Sequence, residues 1–306
     1  MELEFAAGGR AKLHAVSRWH THPKSMWMTS FFSCPSEFFD GCGAERMMND
    51  DAQRVAQYCL QVLPLESARL ADEYYYQSLS LCVIDAVFSI GVRYSCVQNV
   101  VSRYCQYFGV RQFRRNRTSA PPSCEEQESI SSLLERFPNR GCGGMTEEVF
   151  KNWQRTSPVN GILKTEAVLE FADVLVKHRI EYFQHIPIAV VNDELEHDIR
   201  RIPGQTSGKS LWYFWMLAGE DGFAKPDRHI LEFLKDALGR TVSAEQVQAL
   251  LDVATDYLRF SFPDMTVRLL DNEIWKYQRE RVNTRGPSRS HCKHLSREID
   301  LDFGGI

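Results

Sequence analysis

From Asp50 onward apolar residues recur at intervals of three and four, and this single period leaves room for little but helices. Val55, Cys59, Leu60 and Leu63 make a first stripe, which Pro64 ends. A long helix is expected over 70–90, with Leu79, Val83, Ala86, Val87 and Ile90 on its apolar face, and another over 96–108. Residues 117–128 are rich in Pro, Ser and charge and read as a surface loop between lobes. The period then returns at 129–136, 146–154, 162–178, 191–201, 209–218, 227–238, 243–258 and 266–281. No stretch keeps the alternation of a strand, so the expected fold class is all-α, with helix pairs joined by short turns. A chain of 306 residues is long enough for one body of two lobes whose core needs no disulfide or metal.

Composition narrows the function classes. Hydrophobic residues are 43% and charged residues 25%, and the apolar runs break well short of a bilayer span, so no membrane partner is expected. Nine cysteines lack C-x-x-C pairs, which suits reduced thiols and a cytoplasmic setting. They are too scattered for an iron-sulfur cluster, and His178, His185, His197 and His229 lack ligand spacing; neither metal nor cofactor is expected. The net charge of −4 counts against bulk nucleic-acid binding, yet basic residues cluster at Arg111, Arg114, Arg115 and Arg117 and again at Lys276, Arg279, Arg281, Arg285 and Arg289. Such clusters suit solvated loops and phosphate-facing patches about equally. Residues 1–46 mix Trp, His, Phe, Gly and Pro without a sustained period and are expected to be a poorly ordered extension lacking a secretory signal. The helical domain is expected over 47–282, with a tail at 283–306. Met47 and Met48, directly before an amphipathic run, suit a translation start.

The segment from Asp193 to Gly239 carries the chemistry. A short helix over 193–201 stops at Pro203 and Gly204, and Ser207 and Gly208 open a second helix built on Leu211, Phe214, Trp215 and Leu217. The turn leaves main-chain N–H groups of a helix start without partners, where a phosphate oxygen satisfies them whatever the base sequence. Pro203, Gly204, Gln205, Ser207, Gly208 and Ser210 are the candidate DNA contacts. Lys225-Pro226-Asp227-Arg228-His229 then begins a helix holding Ile230, Phe233 and Leu234, with Asp227 in its first turn.

These residues resemble a known signature. Ile202-Pro203-Gly204, Gly208-Lys209-Ser210 and Asp227-Arg228-His229 are similar to the hairpin and D-x-H element of the HhH-GPD superfamily of DNA base-excision glycosylases. The separation of Lys209 and Asp227, 227 − 209 = 18, is that of the endonuclease III branch, whose four-cysteine cluster is absent, so the likeness is to a divergent bacterial subgroup without that cluster. Weaker likenesses extend over about 50–281, including "VIDAVFSIGVRYSCV" from Val83 and "GILKTEAVLEFADVL" from Gly161.

The resemblance implies a two-lobed fold with the hairpin near 199–210, no cofactor, and a monomer acting on double-stranded DNA with a flipped base beside the nucleoid. Asp227 would stabilise the cationic sugar as the base departs and direct a water at it. Lys209 stands where lyase-competent members keep a Schiff-base lysine. The hairpin carries one residue more than the family pattern, Gln205-Thr206-Ser207, which turns Lys209 toward phosphate or water, the reading preferred for it. Ser89 to Tyr94 either fills the gap left by the flipped base or is an ordinary helix turn. Tyr74, Tyr75, Tyr76, Trp212, Tyr213 and Trp215 read as core before they read as a stacking wall. His229 is expected to brace the helix start. The alternative function is a non-catalytic helix-hairpin-helix protein that binds DNA through the same turn.

Overall fold

The computed structural model describes residues 41–117, 120–138 and 140–284, nearly all of them in the compact unit Glu45–Ile306. Most of the expected N-terminal extension and C-terminal tail, with Arg285 and Arg289, lies outside the described residues. The fold is all-α: among the described residues there is no strand, only isolated bridges between Tyr76 and Phe113 and between Arg155 and Leu163.

The helices in order are α1 Gly41–Val62, α2 Leu79–Phe88, α3 Tyr94–Phe108, α4 Ile130–Glu135, α5 Gly141–Gly144, α6 Lys164–Lys177, α7 Ile186–Ala189, α8 Asp193–Arg201, α9 Lys209–Ala218, α10 Arg228–Leu238, α11 Ala244–Leu258 and α12 Val267–Thr284. Helix α1 takes in residues 41–46, and its first buried core residue is Ala52. Two expected helices are shorter than the apolar period suggests. Over 70–78 the chain forms one 3-10 turn, Asp72–Tyr75, and then goes extended, because Tyr76 bridges and stacks on Phe113 at 5.6 Å. The helix expected to reach 154 ends at Phe150 in a π turn, Met145–Phe150, after which Lys151 takes a left-handed conformation that no helix continues.

Buried apolar side chains form two clusters. One draws on α2, α3, α4, α6, α8 and α9, the other on α1, α10, α11 and α12. Helix α2 is the hub of the first: all ten of its residues are buried, as expected of a helix apolar all round. Helix α9 belongs to the first cluster and α10 to the second, and the chain crosses between them over residues 219–227. The seam is held by polar contacts. Arg268 of α12 donates to the Met216 carbonyl at 3.0 Å and pairs with Asp221 at 2.6 Å, while Tyr94 meets Trp275 edge to face at 5.6 Å.

Candidate functional site

The hairpin joins α8 to α9 by two successive turns that share Gln205. The Gln205 N–H donates to the Ile202 carbonyl and the Gly208 N–H to the Gln205 carbonyl, each at 2.9 Å. Pro203 and Gly204 occupy the middle of the first turn, where φ of +85° at Gly204 is the value that a type II turn reserves for glycine. The extra residue is thus absorbed as a second turn. Gly204 also meets a close neighbour: a Cβ there would lie 2.4 Å from the Thr156 Cβ. Gly208, at φ +70°, caps α9 without any side-chain hydrogen bond, whereas Asn192 and Asp227 cap α8 and α10 with theirs. The first amides of α9 therefore have no side-chain cap, and the Arg200 guanidinium packs against Gly208 while donating to the Thr206 carbonyl at 3.0 Å and pairing with Glu196 at 2.7 Å.

The sequence candidates divide. Pro203, Gly204 and Ser207 are exposed. Gln205 and Ser210 are buried and hydrogen-bonded to each other, the Gln205 N–H is taken up by the Ile202 carbonyl, and Gly208 is buried as well, so these three candidates do not face solvent as Pro203, Gly204 and Ser207 do. Lys209, first residue of α9, is half-buried and adds to the positive field at Lys225. The first basic cluster divides: Arg114 is buried, donating to the Tyr76 carbonyl and lying 4.5 Å from the Phe183 ring, and Arg117 pairs with Asp72, while Arg111 and Arg115 are exposed. In the second, Arg281 pairs with Asp236 and Lys276 with Glu273.

Asp227 sits at the start of α10. Its Oδ1 accepts from the N–H groups of His229 and Ile230 at 2.8 and 3.2 Å, which cap the helix and fix the carboxylate. The His229 ring is 6.3 Å from Trp275, and burial lowers its pKa, so the imidazole favours its neutral form. The Asp227 N–H in turn donates to the Lys225 carbonyl at 2.7 Å, closing a three-residue turn about Pro226. Lys225 Nζ donates to Ser89 Oγ at 2.9 Å and lies 3.7 Å from the centre of the Tyr213 ring. Burial lowers the Lys225 pKa, opposed chiefly by Asp227 and then by Asp85 and Asp271.

Two of those carboxyls were not singled out in the sequence. Asp85, on α2, is fully buried; its Oδ2 accepts from the hydroxyls of Tyr76 at 2.8 Å and Tyr94 at 3.3 Å, and its Oδ1 has no partner. Burial and then Glu73 push its pKa up to about 7. Asp271, on α12, accepts the Lys225 N–H at 2.9 Å, and its pKa is raised well above the ordinary value by burial. Near them Lys164, 1% exposed, donates from Nζ to the carbonyls of Phe88 at 2.9 Å and Ile90 at 2.7 Å. The signal that could have found Asp85 is its lone charge inside the run from Leu79 to Phe88.

The turn from Ser89 to Tyr94 thus meets this group directly, through Ser89 to Lys225, Ile90 to Lys164 and Tyr94 to Asp85 and Trp275. Gly91 and Arg93 at its tip are exposed. Of the aromatic residues expected in the core, Tyr74, Tyr76, Tyr213 and Trp215 are buried, and Tyr75 and Trp212 pack against the same cluster from its edge. Elsewhere, the surface hollow lined by Asp50, Asp51, Arg54 and Arg240 is occupied by ion pairs between its own walls.

The model of the family described as domain of unknown function DUF8548 matches residues 53–279, and the chain belongs to that family. No curated protein matches the chain, and no solved structure matches it.

Proposed function

We propose that this protein is a DNA glycosylase of the base-excision type with a two-lobed HhH-GPD fold, in which Asp227 drives hydrolysis of the N-glycosidic bond of a flipped, modified base. The observation that carries the reading is the contact of the Lys225–Asp227 turn with the Ser89–Tyr94 turn, with Lys209 at the end of the α8–α9 hairpin close enough to act on Lys225. A glycosylase needs these three functions side by side. Uncapped amides of α9 with Arg200 hold phosphate oxygens, a protruding turn fills the vacated stack, and a fixed carboxylate faces the sugar. Asp227 is held by two N–H donors to one oxygen, which fixes it before the reaction and leaves its charge to meet the developing oxocarbenium ion. In this reading the two apolar clusters would be the cores of the two lobes. The protein would act as a monomer on duplex DNA, in the cytoplasm with the nucleoid.

A second reading is favoured by the same bonds: Asp227 also serves fully as a helix cap, as it would in a DNA-binding protein that does no chemistry. One experiment separates them. The protein is incubated with a panel of duplexes carrying alkylated, oxidised, deaminated and naturally modified bases, and released bases are detected by mass spectrometry. Release from one of them supports the glycosylase; salt-dependent binding to all with release from none supports the binding module. Binding that ignores salt would overturn both.

A further inference from the structure

We propose that Lys225, rather than Lys209, is the nucleophilic amine of this site, and that it attacks C1′ of the abasic deoxyribose left when the base departs. The inference rests on the glycosylase reading. Its ground is the way Lys225 is held. Nζ donates to Ser89 Oγ, and the Ser89 hydroxyl donates in turn to the Ala86 carbonyl at 2.9 Å, so the amine is aimed by a hydrogen-bond chain that ends in α2. The turn about Pro226 ties the same residue to the carboxylate that would have formed the sugar cation. Lys225 is half-buried as a residue, and the Tyr213 ring closes one side of its amine.

Charge works in the same direction. Burial favours the neutral amine, and two of the three carboxyls that could hold an ammonium there, Asp85 and Asp271, are themselves shifted toward their neutral forms by burial. Lys209 at the start of α9 adds positive field, which again disfavours a second ammonium. A neutral amine is what imine formation requires.

The step balances without any redox partner. The Lys225 nitrogen lone pair forms a bond to C1′ of the ring-opened sugar, and the aldehyde oxygen leaves as water with the two amine hydrogens, giving an imine. Loss of the C2′ proton to water then breaks the C3′–O bond, with the 3′ phosphate as leaving group. Hydrolysis of the imine returns Lys225.

The test uses the unmutated full chain and a duplex with one abasic site, which supplies the product aldehyde directly and needs no knowledge of the base. Borohydride traps any imine, and peptide mass spectrometry locates the modified lysine. The expected adduct is on Lys225, and Lys225→Met should lower its yield at least about a hundredfold. An adduct on Lys209, one spread over surface lysines, or none from the unmutated chain would overturn the proposal. Mapping on the unmutated chain keeps the test decisive even where a Lys225 variant folds poorly. Failure of the underlying reading shows separately, as no base released from any modified duplex.

Discussion

The main-chain N–H of Asp227 donates to the carbonyl of Lys225 at 2.7 Å across Pro226, so a carboxylate and a buried-side amine are locked into one turn. Proline at the centre supplies the fixed φ that such a turn needs and removes an N–H that would otherwise go unsatisfied there. Beyond the turn, Asp227 caps α10, and the helix holds the turn in place through Ile230, Phe233 and Leu234 in the second apolar cluster. Cap and candidate catalyst are therefore the same side chain, and a substitution there touches both stability and chemistry.

Asp227→Asn separates the two. Asparagine caps nearly as well as aspartate, so the loss of stability is expected to stay within about 1 kcal/mol. The lost charge acts on the sugar cation, so base release is expected to fall at least about a hundredfold, roughly 2.7 kcal/mol, while DNA affinity holds or rises. Urea unfolding and single-turnover release on the same preparation measure both. A hundredfold loss of release matched by a comparable loss of stability would make Asp227 a cap and nothing more.

The two hairpin glycines should part company. Both have positive φ, so alanine costs about 1 kcal/mol at either from backbone strain alone. At Gly204 the added Cβ also meets the Thr156 Cβ at 2.4 Å, on a branched side chain that cannot swing away, whereas at Gly208 it meets the far end of the long, flexible Arg200 side chain. Gly204→Ala is therefore expected to lower stability by at least about 1 kcal/mol more than Gly208→Ala. Both should weaken binding to unrelated duplexes alike, because the contact is to the backbone. Thermal unfolding and affinities on several sequences check this; a loss confined to one sequence would contradict it.

How much of this was legible in the sequence follows from what kind of signal each residue left. The hairpin was readable because Pro203, Gly204 and Gly208 are punctuation with one physical meaning each: the expected helices at 191–201 and 209–218 are α8 Asp193–Arg201 and α9 Lys209–Ala218. The all-α class was readable from periodicity. The π turn at Met145–Phe150 and the extended stretch after Tyr75 were not, because apolar spacing registers burial and says nothing of which hydrogen bond the main chain closes. Asp85, Asp271, Lys164 and Lys225 were passed over for a related reason. Each lies in an otherwise helical or loop pattern, and only the packing of α2 against α6 and α9, with the Lys225 loop bonded to Ser89 and to Asp271 of α12, reveals that they share one interior.

Asp85 should leave a mark on the pH dependence of folding. Its folded pKa of about 7 lies above its ordinary 3.8, so the native state holds a proton that the unfolded chain gives up. The sign follows: Asp85 costs nothing below about pH 4, and stability is lost as pH rises toward 7, by about 1.4 kcal/mol per pH unit at most. Glu73, also raised by burial, adds in the same sense, while Lys225, Tyr76 and Tyr94 face Asp85 and temper it. Asp85→Asn keeps an acceptor for both tyrosines and cannot ionise. Its stability relative to the unmutated protein is expected to climb between pH 4 and 7 and then level off. Urea midpoints at several pH values measure this, and a flat difference would mean that Asp85 ionises freely in the fold.

Lys164 decides whether the turn at Ser89–Tyr94 is a fixed element or a loose connection. Its ammonium donates to the Phe88 and Ile90 carbonyls at the end of α2, where main-chain acceptors lack helical partners and the helix dipole favours a cation. Burial opposes the charge, and the pKa is lowered to about 8, so the ammonium still prevails at neutral pH. Two charge-assisted hydrogen bonds of about 1.5–3 kcal/mol each outweigh that penalty, since burial moves the pKa without carrying it below neutrality. Lys164→Met fills similar volume and removes both donors. It is expected to cost about 2 kcal/mol of stability, the gain from no longer burying a charge offsetting part of the lost bonds. Amide hydrogen exchange should rise most at Ile90 to Tyr94, and base release should fall with Asp227 untouched, because the element meant to fill the DNA stack is no longer held. Unchanged exchange in that turn, together with unchanged stability, would show that Lys164 does not position it.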